Sequence, residues 1–144
     1  MANFAESPFQ EPPPDQPDPT APAGDVYDWY VRGRDLLRSG DAAAAVQILS
    51  RTVEAEPGAR SAREMLARAQ FDAGQYPKAR ESFEQLVERD PADHYAHFGL
   101  GLAARKVGDL AAAVEHLALA AAMRPDLERY ARELRAARAA AARR

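Results

Sequence analysis

Proline recurs at Pro57, Pro91 and Pro125, each 34 residues from the next, and three further columns keep the same interval. They are Gly40, Gly74 and Gly108; Ala45, Ala79 and Ala113; and Leu49, Phe83 and Leu117. Several columns on one period predict an internal repeat. A unit this short cannot bury its apolar face alone, so it must stack on its neighbours. The chain is thereby confined to a quasi-one-dimensional architecture in which each unit touches mainly the next.

The residue types inside each unit predict two helices and a reversal. Gly40, Gly74 and Gly108 stand between two helical stretches, where the chain needs a residue free to take positive φ. Asp41 and Asp109 follow and can cap the second helix; Gln75 is a poorer cap. Pro77 falls in the first turn of its helix, where a missing amide costs little. Ala45, Ala79 and Ala113 are small enough to let two backbones approach at a crossing. Leu49, Phe83 and Leu117 follow one turn later on the same face and fill the space between helices. The prolines at 57, 91 and 125 then stop the second helix.

These residues resemble the tetratricopeptide repeat, a 34-residue helix–turn–helix unit with the order Trp, Leu-Gly, Tyr, Ala, Phe, Pro. Residues 26–59 supply Trp29, Gly33, Leu36, Ala45, Leu49 and Pro57, with Arg32 where the family usually has leucine. Residues 60–93 supply Leu66-Ala67, Ala79, Phe83 and Pro91, with Arg63 at the Trp place and Gln70 at the Tyr place. Residues 94–127 supply Leu100-Gly101, Ala113, Leu117 and Pro125, with His97 and Ala104 at those two places. The resemblance implies an all-α fold: a right-handed superhelical solenoid of three repeats with a concave face. A last helix over 128–144 carries a stripe of Tyr130, Leu134, Ala137 and Ala141. Arg129, Arg132, Arg135 and Arg138 would give it the polar outer face that a terminal cap needs.

The flanks differ in charge. Residues 1–25 hold five acids and no Lys or Arg, whereas residues 126–144 hold six Arg against three acids. The proline-rich stretch from Glu11 to Pro19 cannot form a helix. With so few apolar residues it is expected to be a disordered acidic tail. Pro14-x-x-Pro17 and Pro19-x-x-Pro22 match polyproline recognition spacing, but an acidic solubilising leader is the plainer reading. No apolar run reaches the ~18 residues of a membrane helix. No basic start precedes an apolar stretch, so a cytoplasmic location is expected.

No arrangement for catalysis stands out. Cysteine is absent, the glycines are dispersed, and no phosphate-binding loop occurs. Ser7, Ser50, Ser61 and Ser82 form no recognisable nucleophile arrangement with the histidines. His94 and His97, after Asp93, have the spacing of a metal pair. His97, however, occupies the inward Trp place and is expected to pack in the core, with His116 on the helix surface. The expectation is a non-enzymatic chain without cofactor or metal.

The concave face carries the functional reading. If Trp29, Gly33 and Leu36 face the neighbouring helix, the opposite side of each first helix looks into the groove. In the first unit that side holds Tyr27, Tyr30, Arg34, Leu37 and Arg38. In the second it holds Ser61, Glu64, Arg68, Phe71 and Asp72. In the third it holds Tyr95, Phe98, Leu102, Arg105 and Lys106, and the last helix adds Arg129 and Arg132. Aromatics and arginines dominate interface energy, so the groove is expected to bind a protein or peptide partner. The candidate contacts are Tyr27, Tyr30, Arg34, Arg38, Arg68, Phe71, Tyr95, Phe98, Leu102 and Arg105. The arginines suit an acidic segment, and the acidic tail, with Phe4 and Phe9, is one such segment. Many members of the resembled family bind acidic chaperone C-termini through a Lys/Asn carboxylate clamp. The matching places here are Tyr30, Arg34, Met65, Tyr95 and Gly99, of which only Arg34 could serve, so that activity is not carried over. The alternatives are self-assembly through alanine-rich faces and RNA association through the Arg-rich last helix. The net charge of −3 argues against RNA.

One substitution tests the crossing. Ala79→Leu should destabilise by about 1–3 kcal/mol through overpacking, and Ala79→Gly by only about 1 kcal/mol through helix propensity. Thermal melts in which leucine is tolerated as well as serine would remove Ala79 from the crossing.

Overall fold

The computed structural model describes residues 24–143, and seven helices account for nearly all of them. They are α1 (Val26–Arg38), α2 (Ala42–Ala55), α3 (Arg60–Asp72), α4 (Tyr76–Arg89), α5 (His94–Lys106), α6 (Leu110–Met123) and α7 (Glu128–Ala142). The proline-rich stretch and its proposed contact with the groove lie outside the described residues. Each helix packs on the next in chain order, and the odd helices also touch in series, α1 on α3, α3 on α5 and α5 on α7. The result is an all-α solenoid whose odd helices share one face.

The turns follow from glycine. Gly40, Gly74 and Gly108 have φ of 90°, 80° and 89°, a region costly for a side chain with Cβ. Each turn closes with the same pair of bonds. In the first, Gly40 N–H donates to Leu37 O at 3.1 Å and Asp41 N–H to Leu36 O at 2.9 Å. This motif satisfies carbonyls that the helix end would leave bare. Asp41 and Asp109 then accept from Ala44 N–H and Ala112 N–H, both at 3.1 Å, and cap α2 and α6. Gln75 makes no such bond, and α4 relies on Pro77 in its first turn. Asp25 and Asp28 form a reciprocal capping box at the start of α1.

Two caps also tie hairpins together. Asp93 caps α5 through Ala96 N–H at 3.1 Å, and its other oxygen lies 2.8 Å from Arg60 at the start of α3. Asp109 meets Arg80 of α4 at 2.8 Å. Arg80 and the Ala112 amide hold the Asp109 carboxyl below the usual range, the backbone bond contributing most.

The core is a series of interlocks between the two helices of each hairpin. A Cβ at Gly33 would stand 2.5 Å from Leu49 Cγ, and one at Gly101 would stand 2.7 Å from Leu117 Cγ. In the middle hairpin Ala67 takes this place, packed with Ala79 and Phe83. Ala45, Ala79 and Ala113 are fully buried. At the family's aromatic places the middle hairpin substitutes a polar bond: Ser82 Oγ donates to Gln70 Oε1 at 2.6 Å, both residues buried. Leu37, expected in the groove, is instead buried in the first cluster with Trp29 and Leu49. The apolar stripe of α1 is broad enough to turn this side chain inward. Tyr130, Leu134 and Ala137 of α7 bury against Leu117 and Ala113, whereas Ala141 is only partly covered.

His97 is buried at the Trp place. His116, expected at the surface, is half-buried and stacks on it, with ring centroids 5.3 Å apart at 21°. His97 Nε2 lies 2.8 Å from Pro91 O and so carries a proton, leaving Nδ1 to accept from His116 Nδ1 at 3.1 Å. The pair accommodates one added proton; a second would set N–H against N–H. His94, the other expected metal-pair member, bonds the Tyr130 hydroxyl at 2.8 Å. No cluster of three His, Cys, Asp or Glu suited to a metal occurs among the described residues.

Burial, and then the neighbouring His97, push the His116 pKa below its ordinary value, against the fields of Glu115 and Glu84 and alongside that of Arg80. A lowered histidine pKa means that the unfolded chain takes up the proton first. This contribution is therefore present above about pH 6.5 and lost as pH falls. The melting temperature of the wild type should drop more between pH 7 and pH 5 than that of His116→Gln; parallel curves would disprove the coupling. The interlock has its own test. Gly101→Ala should cost about 1–3 kcal/mol. Gly58→Ala, where a Cβ meets nothing within 4 Å, should change stability by less than about 0.5 kcal/mol.

Candidate functional site: a cleft across three helices

Because α3, α5 and α7 stand side by side, the residues they turn away from α4 and α6 line a common depression. This cleft encloses about 480 Å³ and is bounded by Glu64, Arg68, Phe71 and Asp72 of α3, and by Tyr95, Phe98, Gly99 and Leu102 of α5. Arg129 of α7 and the ring of Phe83 from α4 complete it. Phe98 forms its floor. Its ring stacks on Tyr130 at 4.5 Å and 22°, and the Arg129 guanidinium lies 4.7 Å over it. Phe83 meets Tyr95 edge to face at 6.3 Å. Phe83 packs into the space beside Gly99, where a Cβ would fall 2.3 Å from its ring, and the ring stays buried.

The cleft therefore has an aromatic interior and a charged rim. Glu64, Arg68 and Asp72 follow one another at i, i+4 and i+8 along α3, about 6 Å apart per step. Burial pushes the Glu64 carboxyl above its ordinary pKa, and the nearby Asp93 charge adds to this against Arg60 and Arg68. Burial likewise pushes the Tyr95 hydroxyl up to about 12, so it remains a donor across the physiological range. Nothing in the cleft pairs a nucleophile with a base.

Of the residues expected in the groove, Arg68, Phe71, Tyr95, Phe98 and Leu102 line this cleft. Phe98 is buried, only 1% exposed, because α7 covers its far side. Tyr27 and Tyr30 line a separate hollow of about 310 Å³ with Thr52, Glu56 and Ala62, where α1, the end of α2 and the start of α3 meet. Tyr27 is 69% exposed. Arg34, Arg38 and Arg105 line neither space; Arg34 pairs with Asp35 at 3.3 Å and Arg105 with Glu133 of α7 at 3.8 Å. Lys106 turns to the Tyr76 ring at 5.4 Å. Phe83 and Gly99 were not among the expected contacts. The sequence signal for them was a second helical glycine beside Gly101, in a column otherwise held by Val31 and Met65.

The comparisons agree with this architecture. The tetratricopeptide repeat profile matches residues 30–74 and 64–128. No curated protein matches the sequence significantly. Among solved structures, MamA (residues 41 to the end) from Desulfovibrio magneticus RS-1 superposes with a TM-score of 0.73 at 26% identity. The match covers 76% of this chain and 62% of MamA's, so the chain spans about three-fifths of that relative. The first tetratricopeptide domain of Spaghetti (RPAP3), solved with the HSP90 peptide SRMEEVD, superposes with a TM-score of 0.76 at 17% identity. That match covers 85% of this chain and 97% of the other. MamA AMB-1 gives 0.72 at 20% identity over 84% of this chain and 71% of its own. With its 34-residue units, interlocked hairpins and matching profile, this chain belongs to the tetratricopeptide repeat family.

Proposed function

We propose that this protein is an interaction module that holds a peptide or helical segment of another protein in the cleft formed by α3, α5 and α7. The observation that carries the reading is the aromatic depression itself. Phe71, Tyr95 and Leu102 offer apolar contact over the buried Phe83 and Phe98, inside a rim of four charged side chains. A concave pocket that joins apolar contact to placed polar groups is the default form of a binding site. Aromatic and arginine side chains supply most of the energy at such surfaces. The rigid floor favours binding, because Phe98 is held by Tyr130 and Arg129 before any partner arrives.

The fold-level likeness to a domain solved with an HSP90 peptide supports peptide capture as a use of this shape. It does not transfer the ligand. At the clamp places this chain has Tyr30, Met65, Tyr95 and Gly99, and the one cation, Arg34, is occupied by Asp35. No helix among the described residues is long and apolar enough to cross a membrane.

The test is affinity capture from the native cell with the full chain as bait. Wild type should retain a partner that Leu102→Glu loses, with the melting curves of both baits recorded because Leu102 also packs against the Phe98–Tyr130 cluster. Equal capture by both baits would place the binding surface elsewhere.

A further inference from the structure

The charges around the cleft are unequal in what they still lack. Arg68 is exposed, and Asp72 is exposed beside the turn. The Arg129 guanidinium rests on the Phe98 face. Glu64 differs: it is half-buried, and it forms no ion pair within 4 Å among the described residues. Arg60, whose field reaches Glu64, is committed to Asp93 at 2.8 Å and Asp90 at 3.7 Å. Arg68, the other neighbouring cation, also acts on Glu64 through its field, without an ion pair within 4 Å among the described residues. The buried Asp93 carboxylate adds negative potential on the same side. A desolvated carboxylate without a partner is costly to hold, and a cation brought to it recovers that cost. The apolar part of the cleft lies next to it along α5, where the partly exposed Tyr95 and Leu102 form the wall.

Resting on the cleft reading above, we propose that the segment bound there is basic at its contact point. It carries a large apolar side chain seated against the partly exposed Phe71, Tyr95 and Leu102, and a neighbouring lysine or arginine that pairs with Glu64. This reverses the charge expected from the arginines of the sequence. Arg34 and Arg105 are paired within the chain and do not line the cleft. The two arginines that remain on the rim are balanced by Glu64 and Asp72. The acidic segment at residues 1–25 is accordingly a poor occupant.

A random twelve-residue peptide library displayed on phage, selected on the full chain and counter-selected on Leu102→Glu, tests this. Recovered peptides should combine a large apolar residue with Lys or Arg within a few positions. A synthetic copy should bind Glu64→Gln about five- to tenfold more weakly than wild type, in line with a partly buried charge pair. Replacing the peptide's basic residue by Gln should cost the same factor on wild type and nothing on Glu64→Gln, which isolates the pair. Melting curves of Glu64→Gln equal to wild type or higher confirm that the loss is not unfolding. Peptides that depend on Leu102 but are acidic or neutral, or that bind Glu64→Gln unchanged, overturn the basic-partner assignment and leave the cleft reading standing. Recovery of no peptide sensitive to Leu102→Glu overturns both.

Discussion

The structure depends on how closely the two helices of each hairpin can approach. Leu49 and Leu117 enter the space left by a missing Cβ at Gly33 and Gly101, and Phe83 does so against Ala67 and Gly99. Interiors at this density forfeit dispersion contacts when a gap opens and strain when a methyl is added. The fixed approach sets the tilt of each hairpin, and the tilt repeats because the interlock repeats. The row of odd helices, and hence the cleft, follows from it.

Aspartates do double duty in holding that row in register. Asp93 and Asp109 each cap a helix and also reach an arginine on an earlier one. A capping carboxylate already placed by its helix loses little further freedom when it takes a second partner, so hairpins are joined through groups that local structure has positioned. The histidine pair plays a related part within the third hairpin. It fills the place of a tryptophan with two stacked rings and ties α5 to α6 through donor and acceptor nitrogens.

The cleft arises where repetition is broken. Gly99 has no small counterpart in its column, and it lets the Phe83 ring pack against the α5 backbone. Phe98 would be exposed on an uncapped solenoid, but Tyr130 and Arg129 of α7 cover it and turn it into a floor. Helix α7 thus both covers the third hairpin and supplies a wall of the candidate site. Among the rim charges Glu64 is the one that burial makes expensive, and it has no ion pair within 4 Å among the described residues.

The period, the turn glycines, the aspartate caps and the Ala–Leu/Phe interlock were all legible in the sequence, because each is a local demand that a particular residue type meets. Positive φ asks for glycine, a free amide asks for a short acceptor, and a close crossing asks for a small side chain. The face of each first helix was only partly legible. Periodicity set Arg68, Phe71, Tyr95 and Leu102 toward the cleft, but it also sent Leu37 outward, where tertiary packing draws it into the core. Which arginines stay free was decided by distance alone. Arg34 and Arg105 found carboxylates within 4 Å and Arg68 did not. His116 was a surface residue by spacing until the ring of His97 lay against it. Burial and pairing are properties of neighbours brought together from distant parts of the chain, and only the folded arrangement of seven helices supplies those neighbours.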